Sequence, residues 1–261
     1  MIDTLAENTA VFFLIFGRIL ALIQIARLLY SAGIPSVAKV GLAGLSAFLV
    51  FPWMEGSYPI PPTGLAYAFL ILGEAMVGII TGFMLVLAYA AFQVAGQFFS
   101  LQMGFGASQV FDPMAQIQIP IMGQFLNLVA MFVFLIVGGF QRLFLAGVVQ
   151  SFRAFRAVDL VLYREDLLRV VLQGLSRLFE HAMVIAFPIL GTLFLVSLTM
   201  GLFAKAAPQM NLLMLGFPLA IGVAFLIIFL AMPFLAEAFS QIVDQSFETL
   251  YRMFSVSGGG G

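Results

Sequence analysis

The chain alternates between long apolar stretches and short polar breaks. Glycines, prolines and polar residues mark breaks at residues 31–35 and 55–62, and Ala206 to Pro208 separates two later stretches. A helix needs about 20 predominantly apolar residues to cross a bilayer. Six stretches meet this requirement and are predicted to be membrane helices, at about residues 9–30, 37–54, 64–90, 120–141, 182–204 and 210–236.

The middle of the chain is apolar but rich in glutamine. Between Ala75 and Gln141, Asp112 is the one charged residue, and eight residues are glutamines. A lipid-facing helix has no use for these amides, which can form hydrogen bonds between helices or line a water-filled space. Gln93 and Gln97 lie one helical turn apart and share a face. The sequence alone does not distinguish glutamines that join helices from glutamines that line a water-filled space.

Residues 91–119 are predicted to be irregular, because they combine glycines, glutamines and an Asp-Pro pair. Non-helical backbone at membrane depth must be buried in protein or face water. The segment from Met103 to Met122 suits a loop that blocks a channel, and an ordinary connecting loop is the alternative. The candidate loop residues are Gly106, Gln109, Phe111, Asp112, Pro113, Met114, Gln116, Ile117, Ile119 and Met122.

Composition places the chain in a membrane or within an apolar complex. Of its 261 residues, 63% are hydrophobic and 9% are charged, whereas a soluble domain has about 25% charged residues. The net charge of −1 gives no indication of nucleic-acid binding. The chain has no cysteine and one histidine, which excludes thiolate metal sites and histidine-rich centres. The sequence also lacks phosphate-loop, zinc-protease and nucleophile motifs, so we expect no cofactor and no enzymatic activity.

Basic residues are concentrated between residues 142 and 181, which hold six of the eleven. Leucines in the same segment repeat at helical spacing and predict an amphipathic helix. Basic loops usually lie in the cytoplasm, yet six alternating spans would place Arg27 and Lys39 opposite this cluster. Either one stretch is not a full crossing, or the helices are hairpins packed against partner subunits. Three prolines inside the last two stretches are predicted to kink their helices: Pro188, Pro218 and Pro233.

Two charged residues within apolar stretches are the main candidates for chemistry. Glu74 lies early in the third stretch and Arg18 lies in the first. A carboxylate at membrane depth must be protonated, paired or hydrated. Glu74 therefore indicates either an ion or proton site, or a structural pair with an arginine such as Arg18. Gly78 and Gly82 form a small-xxx-small pattern, which lets two helix backbones approach closely.

Five stretches, in a fixed order over nearly the full length, carry a family pattern. They are residues 35–43, 73–82, 104–113, 139–152 and 205–218. The most specific parts are the Asp112-Pro113 pair and the Pro-Gln-Met-Asn block that begins at Pro208. On these residues the chain resembles the FliR family of flagellar export-gate membrane proteins, which is related to virulence type III secretion subunits of the SctT and SpaR type.

The resemblance implies an all-α membrane protein built of kinked helical hairpins in a pseudo-helical assembly. A FliP-like part, residues 1–181, would be fused to a FliQ-like hairpin, residues 182–254, and residues 255–261 would be a flexible tail or a linker. Hairpins wrapped around a channel would also explain the conflict in charge distribution. Residues 106–122 match the family's channel-plugging loop. The last hairpin would contribute residues to a subunit interface, namely Lys205, Pro208, Asn211 and Pro218.

The implied function is that of a non-enzymatic, channel-forming subunit of the flagellar type III export gate. Its partners would be FliP and FliQ in a multi-subunit complex, FlhB at the cytoplasmic opening, unfolded flagellar export substrates and membrane lipids. Its location would be the bacterial inner membrane, in the flagellar basal body. The alternative is a proton-coupled secondary transporter that uses Glu74 and Arg18. An intramembrane enzyme is a third class, which the missing catalytic motifs disfavour.

Overall fold

The protein is built of helices and, in the parts of the chain that the structure describes, contains no strand. The computed structural model describes residues 2–26, 35–54, 60–61, 63–104, 121–154, 156–157, 160, 164–209 and 212–258. The elements are α1 (Ile2–Ile25), α2 (Ser36–Met54), α3 (Gly64–Gln102), α4 (Ile121–Ile136), α5 (Gly139–Arg142), a π-helix (Leu143–Gln150), α6 (Ser151–Ala154), α7 (Arg164–Ala206) and α8 (Leu212–Gly258).

Within the described ranges, five helices are long and apolar enough to cross a membrane. The number is six if α4 and Gly139–Val149 are counted together as one broken span. The prediction of an all-α membrane protein is therefore confirmed. The break in the fourth predicted stretch lies at Gly138, whose φ of 71° is in the left-handed region that favours glycine. The prediction of one continuous helix over residues 120–141 is therefore wrong at Gly138.

Three helices, α3, α7 and α8, are longer than the apolar pattern predicted. α3 has 39 residues and continues to Gln102, so the irregular structure predicted from residue 91 is wrong for residues 91–102. α7 has 43 residues and joins the amphipathic segment to the fifth apolar stretch. The expected division between residues 181 and 182 lies inside this helix and stays a prediction. α8 extends to Gly258, so the tail expected from residue 255 is helical for four residues.

Contacts divide the chain into two compact units. The first contains residues 1–87, 138–175 and 243–261. Within it, α1 packs against α2 and against α3, and the side chains of Leu14 and Ile15 are fully buried. The hydroxyl of Tyr67 on α3 donates a hydrogen bond of 2.8 Å to the carbonyl oxygen of Ala10 on α1. An exposed ion pair between Arg142 and Asp244 connects the segment after α4 to the end of α8.

The second unit contains residues 88–137 and 176–242. An aromatic cluster forms its core, because the ring of Phe239 on α8 lies 5.3 Å from that of Tyr89 and 4.8 Å from that of Phe92, both on α3. The ring of Tyr89 also lies 5.8 Å from that of Phe134 on α4. These contacts hold the second half of α3 between α4 and α8.

Candidate functional site

A buried ion pair joins α1 to α3. Arg18 and Glu74 have side chains that are 1% and 0% exposed. The Nε of Arg18 donates a hydrogen bond of 2.6 Å to Oε2 of Glu74, and Nη2 of Arg18 lies 2.5 Å from the same oxygen. The structure thus brings together two charges that the sequence places in separate apolar stretches.

Residues at and after the end of the π-helix complete the pair. Nη1 of Arg18 donates to Oγ of Ser151 at 3.2 Å, and this hydroxyl donates to the carbonyl oxygen of Val148 at 2.9 Å. The backbone N–H of Ala157 donates to Oε1 of Glu74 at 3.0 Å. Both carboxylate oxygens therefore have partners, as a charge needs when it is removed from water.

An aromatic ring covers the guanidinium group. The Cζ atom of Arg18 lies 4.0 Å from the centroid of the Phe152 ring, and Phe152 is itself buried. A desolvated contact of this type contributes about 2 kcal/mol. We call Arg18, Glu74, Ser151, Phe152 and Ala157 the Arg18 network. All five residues belong to the first compact unit.

Glycines on α3 let α1 approach closely enough to form the network. A Cβ atom on Gly78 would clash with the carbonyl oxygen of Arg18, and one on Gly82 would lie 3.0 Å from that of Leu22. Contacting residue numbers rise together on both helices, so α1 and α3 run in the same direction here. Gly73 allows Ala157 to approach α3 closely on the other side of the Arg18 network, because a Cβ on Gly73 would lie 2.7 Å from the Cβ of Ala157.

The π-helix sets the position of Ser151, which follows its last residue directly. Gly147, in this helix, packs against α1 and α3. A Cβ atom on it would lie 3.2 Å from Leu22 Cδ1 and 3.5 Å from Thr81 Cγ2. The π-helix has one more residue per hydrogen-bonded turn than an α-helix, and such turns are frequent at functional sites.

The chemistry of the Arg18 network is that of a clamp between segments. It ties α1 and α3 to Ser151, Phe152 and Ala157 through buried groups. Of the two interpretations of Glu74 that the sequence leaves open, the structure shows the pair with Arg18. Within the described residues, no group of three or more side chains could hold a metal ion.

Most of the other candidate positions lie outside the described residues. Nine of the candidate loop residues, Gly106 to Ile119, lie outside the described residues. Met122 lies in the first turn of α4 and is 2% exposed. Lys205, Pro208 and Pro218 are exposed, and Asn211 lies outside the described residues. The loop and interface roles stay predictions.

Sequence reasoning missed part of the network. The family pattern at residues 139–152 contains Ser151 and Phe152 but gives them no role, and no sequence pattern includes Ala157. Arg18 and Ser151 are 133 residues apart, and Glu74 and Ala157 are 83 residues apart. Ala157 contributes its backbone N–H, which every residue except proline has, so no sequence signal could have identified it.

Comparisons with known proteins cover most of the chain. The model of a family described as bacterial export proteins, family 1, matches residues 9–246. The chain is 29% identical over 250 residues to the flagellar biosynthetic protein FliR of Bacillus subtilis, with 95% of each chain covered. It is 31% identical over 187 residues to FliR of Borreliella burgdorferi, covering 71% of this chain and 70% of that one. It is 27% identical over 238 residues to FliR of Escherichia coli, covering 91% and 90%.

Proposed function

Because the chain belongs to the bacterial export proteins of family 1, we propose that this membrane-embedded component of the flagellar export apparatus is a channel-forming structural subunit. In this proposal it has no enzymatic activity. It assembles with FliP and FliQ in the inner membrane, within the flagellar basal body, and FlhB contacts the cytoplasmic opening. Unfolded flagellar proteins are its substrates.

The apolar surface of α7 is the observation that carries the proposal of assembly. Exposed large apolar side chains occur along this helix from Leu168, which is 61% exposed, to Phe203, which is 54% exposed. At about 1.5 Å per residue, this stretch is about 52 Å long. The hydrocarbon core of a bilayer is about 30 Å thick.

Tilting alone cannot place the whole apolar surface of α7 within the hydrocarbon core. A straight helix would need a tilt of about 55° to place the whole stretch within the core, whereas membrane helices tilt by about 0–40°. The apolar window of α8 is also poorly covered, with 17% of it buried, against 44% in α3. In the proposal, neighbouring protein subunits therefore cover part of the apolar surface of α7 and α8.

The Arg18 network supports a structural role for the main buried charges. Its carboxylate accepts hydrogen bonds from a guanidinium and a backbone amide. A transporter would instead need a carboxylate that exchanges protons with water during each cycle. The proposal therefore assigns Glu74 to packing and places the passage for substrates elsewhere in the assembly.

Co-purification tests the assembly. When the tagged chain is purified from its own cells in mild detergent, we expect FliP and FliQ to appear by mass spectrometry in one complex of defined mass. The matched control is the same chain with Gly78→Leu, which breaks the packing of α1 on α3 and should reduce recovery of the complex. A stable, monodisperse monomer that binds a small solute would contradict the proposal and favour a transporter.

Deletion of residues 106–122 tests the channel-plugging role. We expect the assembled complex that lacks this segment to conduct ions more readily in a planar bilayer, because the candidate loop supplies the apolar side chains that block the passage. The control is a complex in which the same number of residues is replaced by a glycine and serine linker. Unchanged conductance, with assembly intact, would remove the plug role and leave the assembly proposal standing.

A further inference from the structure

Two glycines fix the point at which α3 and α4 touch. A Cβ atom on Gly96 would lie 2.6 Å from the Cα of Gly123, and one on Gly123 would lie 2.9 Å from the carbonyl oxygen of Gln93. The backbones are therefore in contact at these glycines. The Tyr89 and Phe134 rings also meet, so contacting residue numbers fall on α3 as they rise on α4. The two helices are antiparallel.

This contact point determines which side of the hairpin each residue faces. In an α-helix each residue is rotated about 100° from the one before it. Because the helices are antiparallel, the residue that follows each glycine turns toward the same side of the pair. Gln97 follows Gly96 and Gln124 follows Gly123, so these two glutamines lie on one side.

The same rotation places three more polar residues on that side, and all five are uncharged. We call this set the amide face, although one member is a serine. Gln97 and Gln124 are exposed, and the other members are half-buried. The amide face consists of Gln93, Gln97, Ser100, Gln124 and Asn127.

The opposite side of the hairpin has a buried apolar patch. Phe92 and Phe99 of α3 and Leu126 and Ala130 of α4 face this side and are 0% exposed. The ring of Phe92 packs on that of Phe239 at 4.8 Å. The burial pattern thus agrees with the rotation from the glycine contact. On one side of the hairpin Phe92 packs on α8. On the other side the amide face is flanked by exposed apolar side chains, including Leu101 and Leu128.

The amide face requires a hydrogen-bonding environment. The side chains of Gln97 and Gln124 are exposed, so their amides contact whatever surrounds this side of the hairpin. In hydrocarbon each unpaired amide costs several kcal/mol, so lipid is an unsuitable neighbour for this side. The stretch from residue 75 to residue 111 carries no charged residue. Water, or a chain that offers backbone amides, satisfies these groups.

We propose that the amide face lines the water-filled passage of the export channel and contacts the backbone of the unfolded substrate. This inference rests on the proposed function. A peptide backbone carries the same kinds of donor and acceptor as a glutamine side chain. It can therefore form hydrogen bonds with this surface in place of the hydrogen bonds that it forms with water. The absence of charge means that neither acidic nor basic segments of a substrate are held strongly.

Single cysteines in this cysteine-free chain test the inference directly. The test variants are Gln97→Cys and Gln124→Cys. Their controls are Phe98→Cys and Phe125→Cys, because these half-buried neighbours lie at the same depth but are rotated about 100° toward the back of the hairpin. The assembled complex is treated in membranes, from both sides, with a membrane-impermeant thiol reagent.

We expect the two glutamine positions to react about tenfold or more faster than the two controls, since a thiol reacts as its thiolate, which an apolar environment disfavours. A substrate stalled in the channel by a folded fusion domain should then slow the reaction at Gln97→Cys and Gln124→Cys. Equal rates at all four positions, or fast rates that the stalled substrate does not change, would overturn the inference.

A charge on the amide face supplies a second measurement. Gln124→Glu keeps the side-chain volume and adds a charge, which a water-filled passage tolerates. We expect this variant to assemble with FliP and FliQ and to increase the preference of the plug-deleted channel for cations. Loss of assembly would show that the face is packed against another subunit. The wild-type co-purification reports on the proposed function separately, so the two failures are distinguishable.

Discussion

Glu74→Ala is expected to leave little folded protein in the membrane. The substitution leaves the guanidinium of Arg18 buried without its partner, along with the N–H of Ala157. Removing one partner of a buried pair costs about 3–5 kcal/mol, which is a large part of the total stability of about 5–15 kcal/mol of a typical protein. The measurements are the amount of the chain in the membrane and the thermal unfolding of the purified complex.

The exposed pair of Glu248 and Arg252 on α8 is the matched control. Their side chains are 60% and 73% exposed and lie 2.7 Å apart. Glu248→Ala should change stability by less than about 1 kcal/mol, because water screens and replaces an exposed ion pair.

A double substitution separates loss of the pair from loss of packing. Arg18→Met with Glu74→Leu removes both charges and retains much of the side-chain volume. We expect it to recover most of the stability, since apolar residues of similar size often replace a buried pair without cost. If Glu74→Gln instead abolished proton movement driven by a solute while assembly stayed normal, the packing role would be wrong and the transporter interpretation would stand.

Gly78→Ala is expected to have the second large effect. The added Cβ atom would clash with the carbonyl oxygen of Arg18, which is backbone and cannot rotate away. α1 must then move from α3, and the guanidinium moves with it. Overpacking of this type costs about 1–3 kcal/mol, and loss of the Arg18 network would add to that cost. The measurement is the midpoint of thermal unfolding, with co-purification of FliP and FliQ as a second reading.

A graded series of glycines provides the control for Gly78→Ala. A Cβ on Gly82 would lie 3.0 Å from the carbonyl oxygen of Leu22, whereas a Cβ on Gly41 would have no atom within 4 Å. We expect Gly82→Ala to cost less than Gly78→Ala. Gly41→Ala should be neutral or stabilising by up to about 1 kcal/mol, because alanine is favoured over glycine inside a helix. An equal loss at Gly41 and Gly78 would contradict the close-packing explanation.

The sequence placed the membrane helices well where apolar runs and breaks coincide. The stretch predicted at residues 37–54 is observed as Ser36–Met54, because proline and glycine flank an apolar run of the right length. The sequence-based prediction of irregular structure is wrong at residues 91–102, where glycine and glutamine locally favour a loop. In the structure Gly96 lies within α3 and contacts Gly123 of α4. This packing stabilises the helical backbone, and a local sequence pattern cannot predict it because the two glycines are far apart in the chain.

The sequence by itself determined that this is an all-α membrane protein and that its two main charged candidates lie within apolar segments. It did so because apolar length and helical periodicity are local properties of the chain. Only the tertiary structure decided that Arg18 is paired with Glu74 and completed by Ser151 and Ala157. It also decided that the glutamines of α3 and α4 share one side. Periodicity gives the angle between residues on one helix, but the point at which two helices touch depends on contacts between distant residues.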